Sequence, residues 1–170
     1  MTLCGGTLKE KKPFLDALPR SLALSFGMLG CDSRCTYCHN WFTSQSLKDD
    51  SSTINSTSIS AKDICDRTKD AKVVVSTYNE LLITNEWAVE VFKEAKQREL
   101  WTAYVSNGHG TPEMLEYIGP WINLIKIDLK SISLEKYHRI GGYLDCYTRN
   151  DTNDKRYENL TRIGDLLIPD

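Results

Sequence analysis

The stretch LALSFGMLGCDSRCTYCHN, Leu22 to Asn40, decides how this chain is read. Leu22 to Leu29 is an apolar run of strand length, and Cys31, Cys35 and Cys38 follow it in a C-x3-C-x2-C pattern with no fourth cysteine nearby. A four-iron cluster in a simple ferredoxin is held by four cysteine sulfurs. A three-cysteine clip therefore leaves one iron open to something that is not protein. Two other uses of these residues compete with the cluster. Cys31, Cys35, Cys38 and His39 can be written as a Cys3His zinc set, but structural zinc is usually gripped by two separated ligand pairs. Four ligands on one short loop clamp nothing, and the adjacent Cys38 and His39 rarely converge on one tetrahedral ion. A thioredoxin-type pair, Cys35 and Cys38, rests on a lowered thiol pKa and leaves the third cysteine idle. Ligand count, spacing and the strand in front together favour the cluster.

Working outward, strands and helices alternate. Residues 1–20 form a polar arm broken by Pro13 and Pro19, read as irregular. After the first strand and the cysteine loop, the Ser- and Thr-rich stretch Ser51 to Ser60 reads as a surface loop. Ser60 then caps a helix running to about Asp70, with Asp63 in its first turn. Val73 to Thr77 is a β-branched second strand. Trp87, Ala88, Val91, Phe92 and Ala95 recur with helical period between Asn85 and Leu100. Trp101 to Ser106 is the third strand, and Thr111 with Pro112 starts a helix that buries Leu115 and Ile118. Leu124 to Lys130 is the fourth strand, followed by a short helix from Leu134 to Ile140 and the pair Gly141 and Gly142. Strands each followed by a helix-sized segment predict an α/β fold with parallel strands and right-handed crossovers. A closed eight-unit barrel takes about 250 residues, so 170 residues predict an open, partial (βα) barrel of about four to five units with helices outside.

Composition narrows the class. With 41% hydrophobic and 26% charged residues the chain has the make-up of one globular domain. Its apolar runs, such as Val73 to Val75 and Leu81 to Ile83, are too short to span a bilayer, and the N-terminus lacks a signal-peptide core. The expectation is a cytoplasmic protein, which suits free thiols and an oxygen-sensitive cluster. A net charge of −2 offers no basic footprint for nucleic acid, and no membrane contact is expected.

In parallel α/β sheets the site gathers at the carboxyl ends of the strands. Here those ends carry the cysteine loop, then Tyr78, Asn79 and Glu80, then Ser106, Asn107 and Gly108, then Asp128 and Lys130. Alternation puts Ile125, Ile127 and Leu129 on one face of the fourth strand and Lys126, Asp128 and Lys130 on the other. Charges facing a barrel interior need partners, so Asp128 and Lys130 pair with each other or meet a ligand.

The segment CDSRCTYCHN resembles the cluster loop of the radical S-adenosylmethionine (SAM) superfamily, whose unique iron is chelated by the amino and carboxylate groups of SAM. The ordered set SLALSFGMLGC, TYNE, VSNG and KIDLK, spread over Lys11 to Gly142, is most similar to the pyruvate formate-lyase activating enzyme-like branch called the AmmeMemoRadiSam system radical SAM enzymes. The resemblance implies a [4Fe-4S] cluster on Cys31, Cys35 and Cys38, with SAM beside it. On that reading Glu80 and Asn79 accept from the SAM amino group, Lys130 faces its carboxylate, Ser106, Asn107 or Asp128 reach the ribose, and Tyr37 packs on adenine. TYNE at Thr77 to Glu80 stands in for the Gly-Gly-Glu amine-binding motif. Other readings stay open: Asn107 and Gly108 are ordinary turn residues, Tyr37 can simply be packed, and Asp128 with Lys130 can be an internal ion pair.

The resemblance further implies an oxidoreductase-type radical enzyme. A low-potential donor of flavodoxin or ferredoxin type reduces the cluster, SAM is cleaved, and a 5′-deoxyadenosyl radical abstracts hydrogen. In the activating enzymes the substrate is a glycine in a partner protein. Two departures accompany the match. Leu81 stands where the branch has proline after TYNE, and after Gly142 the chain turns polar, with only Leu166 to Ile168 suggesting another strand. The expected organisation is an arm at 1–20, a radical SAM core at 21–142 and a divergent or truncated tail at 143–170. The alternative is a truncated, catalytically impaired member acting only as an iron-sulfur or zinc-binding module. Cys4, Cys65 and Cys146 can be proposed as a second cluster, but they lie far apart, and Cys65 reads as a buried helical thiol. His109 and His138 read as surface or loop residues without a catalytic role, and His39 is given no acid-base role.

Overall fold

The computed structural model describes residues 2–3, 8–10, 18, 21–53, 57–128, 130 and 133–141. Its elements are β1 (Thr2–Leu3), β2 (Leu8–Glu10), β3 (Leu22–Phe26), α1 (Trp41–Gln45), β4 (Thr57–Ser58), α2 (Ala61–Cys65), β5 (Ala71–Ser76), α3 (Asn85–Gln97), β6 (Trp101–Ser106), α4 (Pro112–Ile118), β7 (Leu124–Ile127) and α5 (Leu134–Arg139). The main sheet has the order β2-β3-β5-β6-β7. Strands β3, β5, β6 and β7 run parallel, as the βα alternation predicts. The result is an open sheet with helices on one side, a partial (βα) barrel.

The two faces of the sheet bury different residues. On the helix side Phe26, Phe92 and Tyr104 make edge-to-face ring contacts, with Phe92 and Tyr104 centroids 5.1 Å apart and Phe26 and Trp87 centroids 5.4 Å apart. Helix α3 contributes Trp87, Ala88, Val91, Phe92 and Ala95 to this core, the period read from the sequence. The opposite face is lined by smaller side chains, Ala23, Val73, Val75, Ala103 and Leu124. Strand β7 alternates as expected, Leu124 facing the small-residue side and Ile125 and Ile127 the helices.

Local signals held where they are made by neighbouring residues. The Ser60 side chain accepts from the Asp63 N–H at 3.1 Å, and Thr111 accepts from the Met114 N–H, so both caps are real. Five expectations need correcting. The arm is not irregular throughout, because β2 pairs antiparallel with β3 and β1 pairs with β4, which itself interrupts the Ser51 to Ser60 loop. Edge pairing uses main-chain groups, so a polar segment can supply it without any apolar pattern. The helix after Ser60 ends at Cys65, where the Thr68 hydroxyl donates to the Cys65 carbonyl and turns the chain into β5. The first strand ends at Phe26, not Leu29. The last strand ends at Ile127: Asp128 N–H still bonds Ser106 O at 2.8 Å, but Lys130 N–H is taken by the Tyr137 hydroxyl. The Leu129 side chain, Cys4, Cys146, the tail at 143–170 and its Leu166 to Ile168 strand lie outside the described residues. Among the described residues no helix is long and apolar enough to cross a membrane.

Candidate functional site

Glycines clear the way out of β3. A Cβ on Gly27 would sit 2.6 Å from the Thr77 carbonyl and 3.1 Å from Asn79 Oδ1, so only glycine lets the end of β5 pack this closely. Gly30 has φ of +103°, a backbone state that L side chains rarely adopt, and it swings the chain off the sheet into the cysteine loop. The loop is tied down at several points. Gly30 N–H donates to Thr43 O, Arg34 N–H to Ile140 O at 2.7 Å, Gln45 Nε2 to Ser33 O at 3.0 Å, and Asn40 Nδ2 to Tyr78 O at 2.9 Å. Cys35 is buried and Cys31 and Cys38 are half-buried.

Cys31 and Cys35 sit where burial resists ionisation. Burial, with the Asp32 and Glu80 carboxylates nearby, pushes the Cys31 thiol up to about 11. Burial raises Cys35 too, opposed by Lys130. Metal-free, Cys31 keeps its proton at neutral pH, and a cationic centre is what would make it a thiolate.

Strand β5 delivers the next group. Tyr78 has φ of +78°, unusual for a bulky residue and a mark of local strain. Asn79 follows with 8% exposure, and neither its Oδ1 nor its Nδ2 has a hydrogen-bond partner. Glu80, 3% exposed, accepts from the Ser106 hydroxyl at 3.0 Å and from the Asn107 N–H at 2.6 Å. Gly108 adopts a left-handed φ of +80° that brings its N–H onto Ser106 Oγ at 2.8 Å. The Asn107 amide donates to Asp32 Oδ1 at 2.7 Å and to Ser33 Oγ at 3.0 Å. From β7, Asp128 pairs with Lys126 at 3.0 Å and Lys130 at 3.6 Å. Tyr37 is 56% exposed and its hydroxyl donates to Lys130 O.

These residues share one cleft of about 320 Å³ at the carboxyl ends of the parallel strands. Cys31, Cys35, Cys38, Tyr37, Asn79, Glu80, Ser106, Asn107, Asp128 and Lys130 all line it. Every site residue named from the sequence is therefore brought to one place. Their bonding differs from the expectation in detail. The Glu80 oxygens are engaged by Ser106 and Asn107, and the Asn107 side chain is turned to the cysteine loop. Asp128 and Lys130 line the cleft beyond the end of β7, and Asp128 pairs with Lys126 as well. Among the described residues no group of three His, Cys, Asp or Glu side chains is gathered so as to hold a single metal ion.

Two residues escaped the sequence reading. Asp32, inside the cysteine motif, bonds His109 Nδ1 at 3.1 Å, and the His109 ring lies 6.1 Å from that of Tyr137. His109 lies in a loop, as expected, but its side chain is only 12% exposed. Burial opposes ionisation of Asp32, but hydrogen bonds from His109 and Asn107 outweigh it and hold the carboxyl below its ordinary value. Cys65 is a free, buried thiol that donates to Val91 O, as its helical setting suggested.

Comparison with known proteins bears on the same region. The sequence model described as the Radical SAM superfamily matches residues 27–170. An uncharacterized protein of Methanocaldococcus jannaschii is 25% identical over 121 residues, covering 71% of this chain and 35% of that protein. The chain thus spans about a third of the length of this curated relative.

Proposed function

The chain belongs to the radical SAM superfamily, and from that premise we propose that Cys31, Cys35 and Cys38 hold a [4Fe-4S] cluster with SAM bound in the adjoining cleft. The chemistry of the donor set fits: three thiols from one loop share a cleft with a cation, carboxylates and a polar amide. When bound, the reduced cluster and SAM supply a 5′-deoxyadenosyl radical for hydrogen abstraction. The chain's own part is to bind and orient. Asn79 and Glu80 receive the amino group, Lys130 meets the carboxylate, and Ser106, Asn107 or Asp128 reach the ribose. Tyr37 offers an exposed ring for adenine. The observation that carries this reading is Asn79, a buried amide with both polar atoms unpartnered and lining the cleft, since such a group costs stability unless a ligand completes it. The order of SLALSFGMLGC, TYNE, VSNG and KIDLK supports the activating-enzyme-like branch, with a flavodoxin- or ferredoxin-type donor and a partner protein as substrate.

A second reading is favoured by a separate observation. The Glu80 oxygens, which the first reading gives to the SAM amine, already have protein donors. A module that carries a cluster or zinc but does not turn over SAM would look like this. Anaerobic reconstitution separates the two. The first reading predicts about four irons per chain and release of 5′-deoxyadenosine on reduction with SAM, both lost in Cys35→Ala. Iron or zinc uptake without the nucleoside product establishes the second.

A further inference from the structure

We propose that Asp32 and His109 form a latch that holds the cysteine loop against the end of β6 and so sets how firmly the cluster is retained. The inference rests on the cluster site proposed above. Asp32 follows Cys31 directly, and its two carboxylate oxygens are bound from one turn: Oδ1 by the Asn107 side chain at 2.7 Å and Oδ2 by His109 Nδ1 at 3.1 Å. The same turn fixes its own shape, because Asn107 Oδ1 accepts from the His109 N–H at 3.0 Å. The Asn107 amide therefore faces Asp32 in one direction and braces His109 in the other.

Within the loop the Cys31 thiol and Ser33 hydroxyl also donate to Asp32 Oδ1, at 3.6 and 3.4 Å, and the Cys38 N–H donates to Cys35 O at 3.2 Å. These bonds join near neighbours and do not fix the loop to the sheet; the remaining anchors named above come from elsewhere in the chain. Asp32 to His109 spans 77 positions of sequence, so this contact joins the first βα unit to the third. On the far side the His109 ring rests near Tyr137, whose hydroxyl receives the Lys130 N–H. His109 is thus packed between the cysteine loop and α5, and it acts as a positioning residue with no role in touching SAM.

The test uses the full chain with His109→Ala and His109→Gln, the glutamine amide being able to donate to Asp32. Hydrogen exchange on the metal-free protein should show residues 31–38 opening about tenfold more readily in His109→Ala, with the β5 and α3 amides unchanged. Iron release to a chelator should quicken by a similar factor, and His109→Gln should restore both. Wild-type exchange in the loop of His109→Ala overturns the latch. So does a uniform rise over the whole sheet in both variants, which would make the pair a general stabiliser. If the wild-type chain takes up no iron the cluster reading fails, while the exchange measurement still decides the latch.

Discussion

Glu80 at the end of β5 accepts the Asn107 main-chain N–H at 2.6 Å, so a buried carboxylate ties two neighbouring strand ends across the cleft. On the proposed reading the same group receives the SAM amine. Replacing it tests both duties. Glu80→Ala leaves the Asn107 N–H and Ser106 hydroxyl without this acceptor and should cost about 1–3 kcal/mol of stability. Glu80→Gln keeps an acceptor but removes the charge. Equilibrium dialysis of the reconstituted protein should then show SAM affinity reduced about tenfold or more in Glu80→Gln. Unchanged affinity with a lowered melting temperature would reduce Glu80 to a structural tie.

Asn79 should separate stability from binding. A buried amide lacking partners carries a desolvation penalty of about 1–3 kcal/mol, and leucine has a similar size without the polar atoms. Asn79→Leu should raise the melting temperature of the metal-free chain and weaken SAM binding. That opposition is the signature of a group kept for its ligand. A variant that is destabilised yet binds SAM normally would point to packing alone.

What could be read from the sequence was whatever neighbouring residues determine. The Ser60 and Thr111 caps, the α3 stripe and the polar strand ends each depend on a few consecutive side chains, and each is present. Strand β2 was illegible because its pairing with β3 is a main-chain bond that leaves no side-chain pattern. The end of β7 was missed because Tyr137 captures the Lys130 N–H, a competition that no strand periodicity encodes. Gathering ten named residues into one cleft was legible through topology, since parallel strands share an end. Pairing Asp32 with His109 was not, for two polar residues 77 positions apart announce nothing to each other. The left-handed backbone of Tyr78 is likewise invisible, because tyrosine has no preference for it.

Cys65 gives a pH prediction away from the cleft. It is 1% exposed, and burial pushes its thiol from an ordinary value near 9 up to about 11. In the unfolded chain the thiol ionises as pH passes 9, while in the folded chain it holds its proton to about 11. The folded state thus binds more protons across that window, and stability present in full below 9 falls as pH rises through it. Tyr104, raised by its own burial, extends the decline to higher pH. Urea unfolding across this window should show the loss, and Cys65→Ala should flatten its lower part. A slope unchanged by that substitution would exclude the thiol as its source.

Gly27 and Gly119 offer a matched pair of alanine substitutions. A Cβ at 27 would lie 2.6 Å from the Thr77 carbonyl, a main-chain atom that cannot rotate away. Thr77 N–H is itself bonded to Phe26 O at 2.9 Å, so relief requires parting β3 and β5 at the point where Asn79 and Glu80 emerge. Gly27→Ala should therefore cost about 1–3 kcal/mol through overpacking and weaken SAM binding together with stability. At Gly119 a Cβ meets nothing within 4 Å beyond its own neighbours in the chain, and φ is −47°, within the helical range. Pro120 follows and disfavours a helical backbone for a residue with a Cβ before it, which offsets the narrower unfolded ensemble of alanine, so Gly119→Ala should change stability by less than about 1 kcal/mol. Thermal melts and SAM titration of both variants check the pair. Equal effects at the two positions would mean that the close approach of β3 and β5 does not shape the cleft.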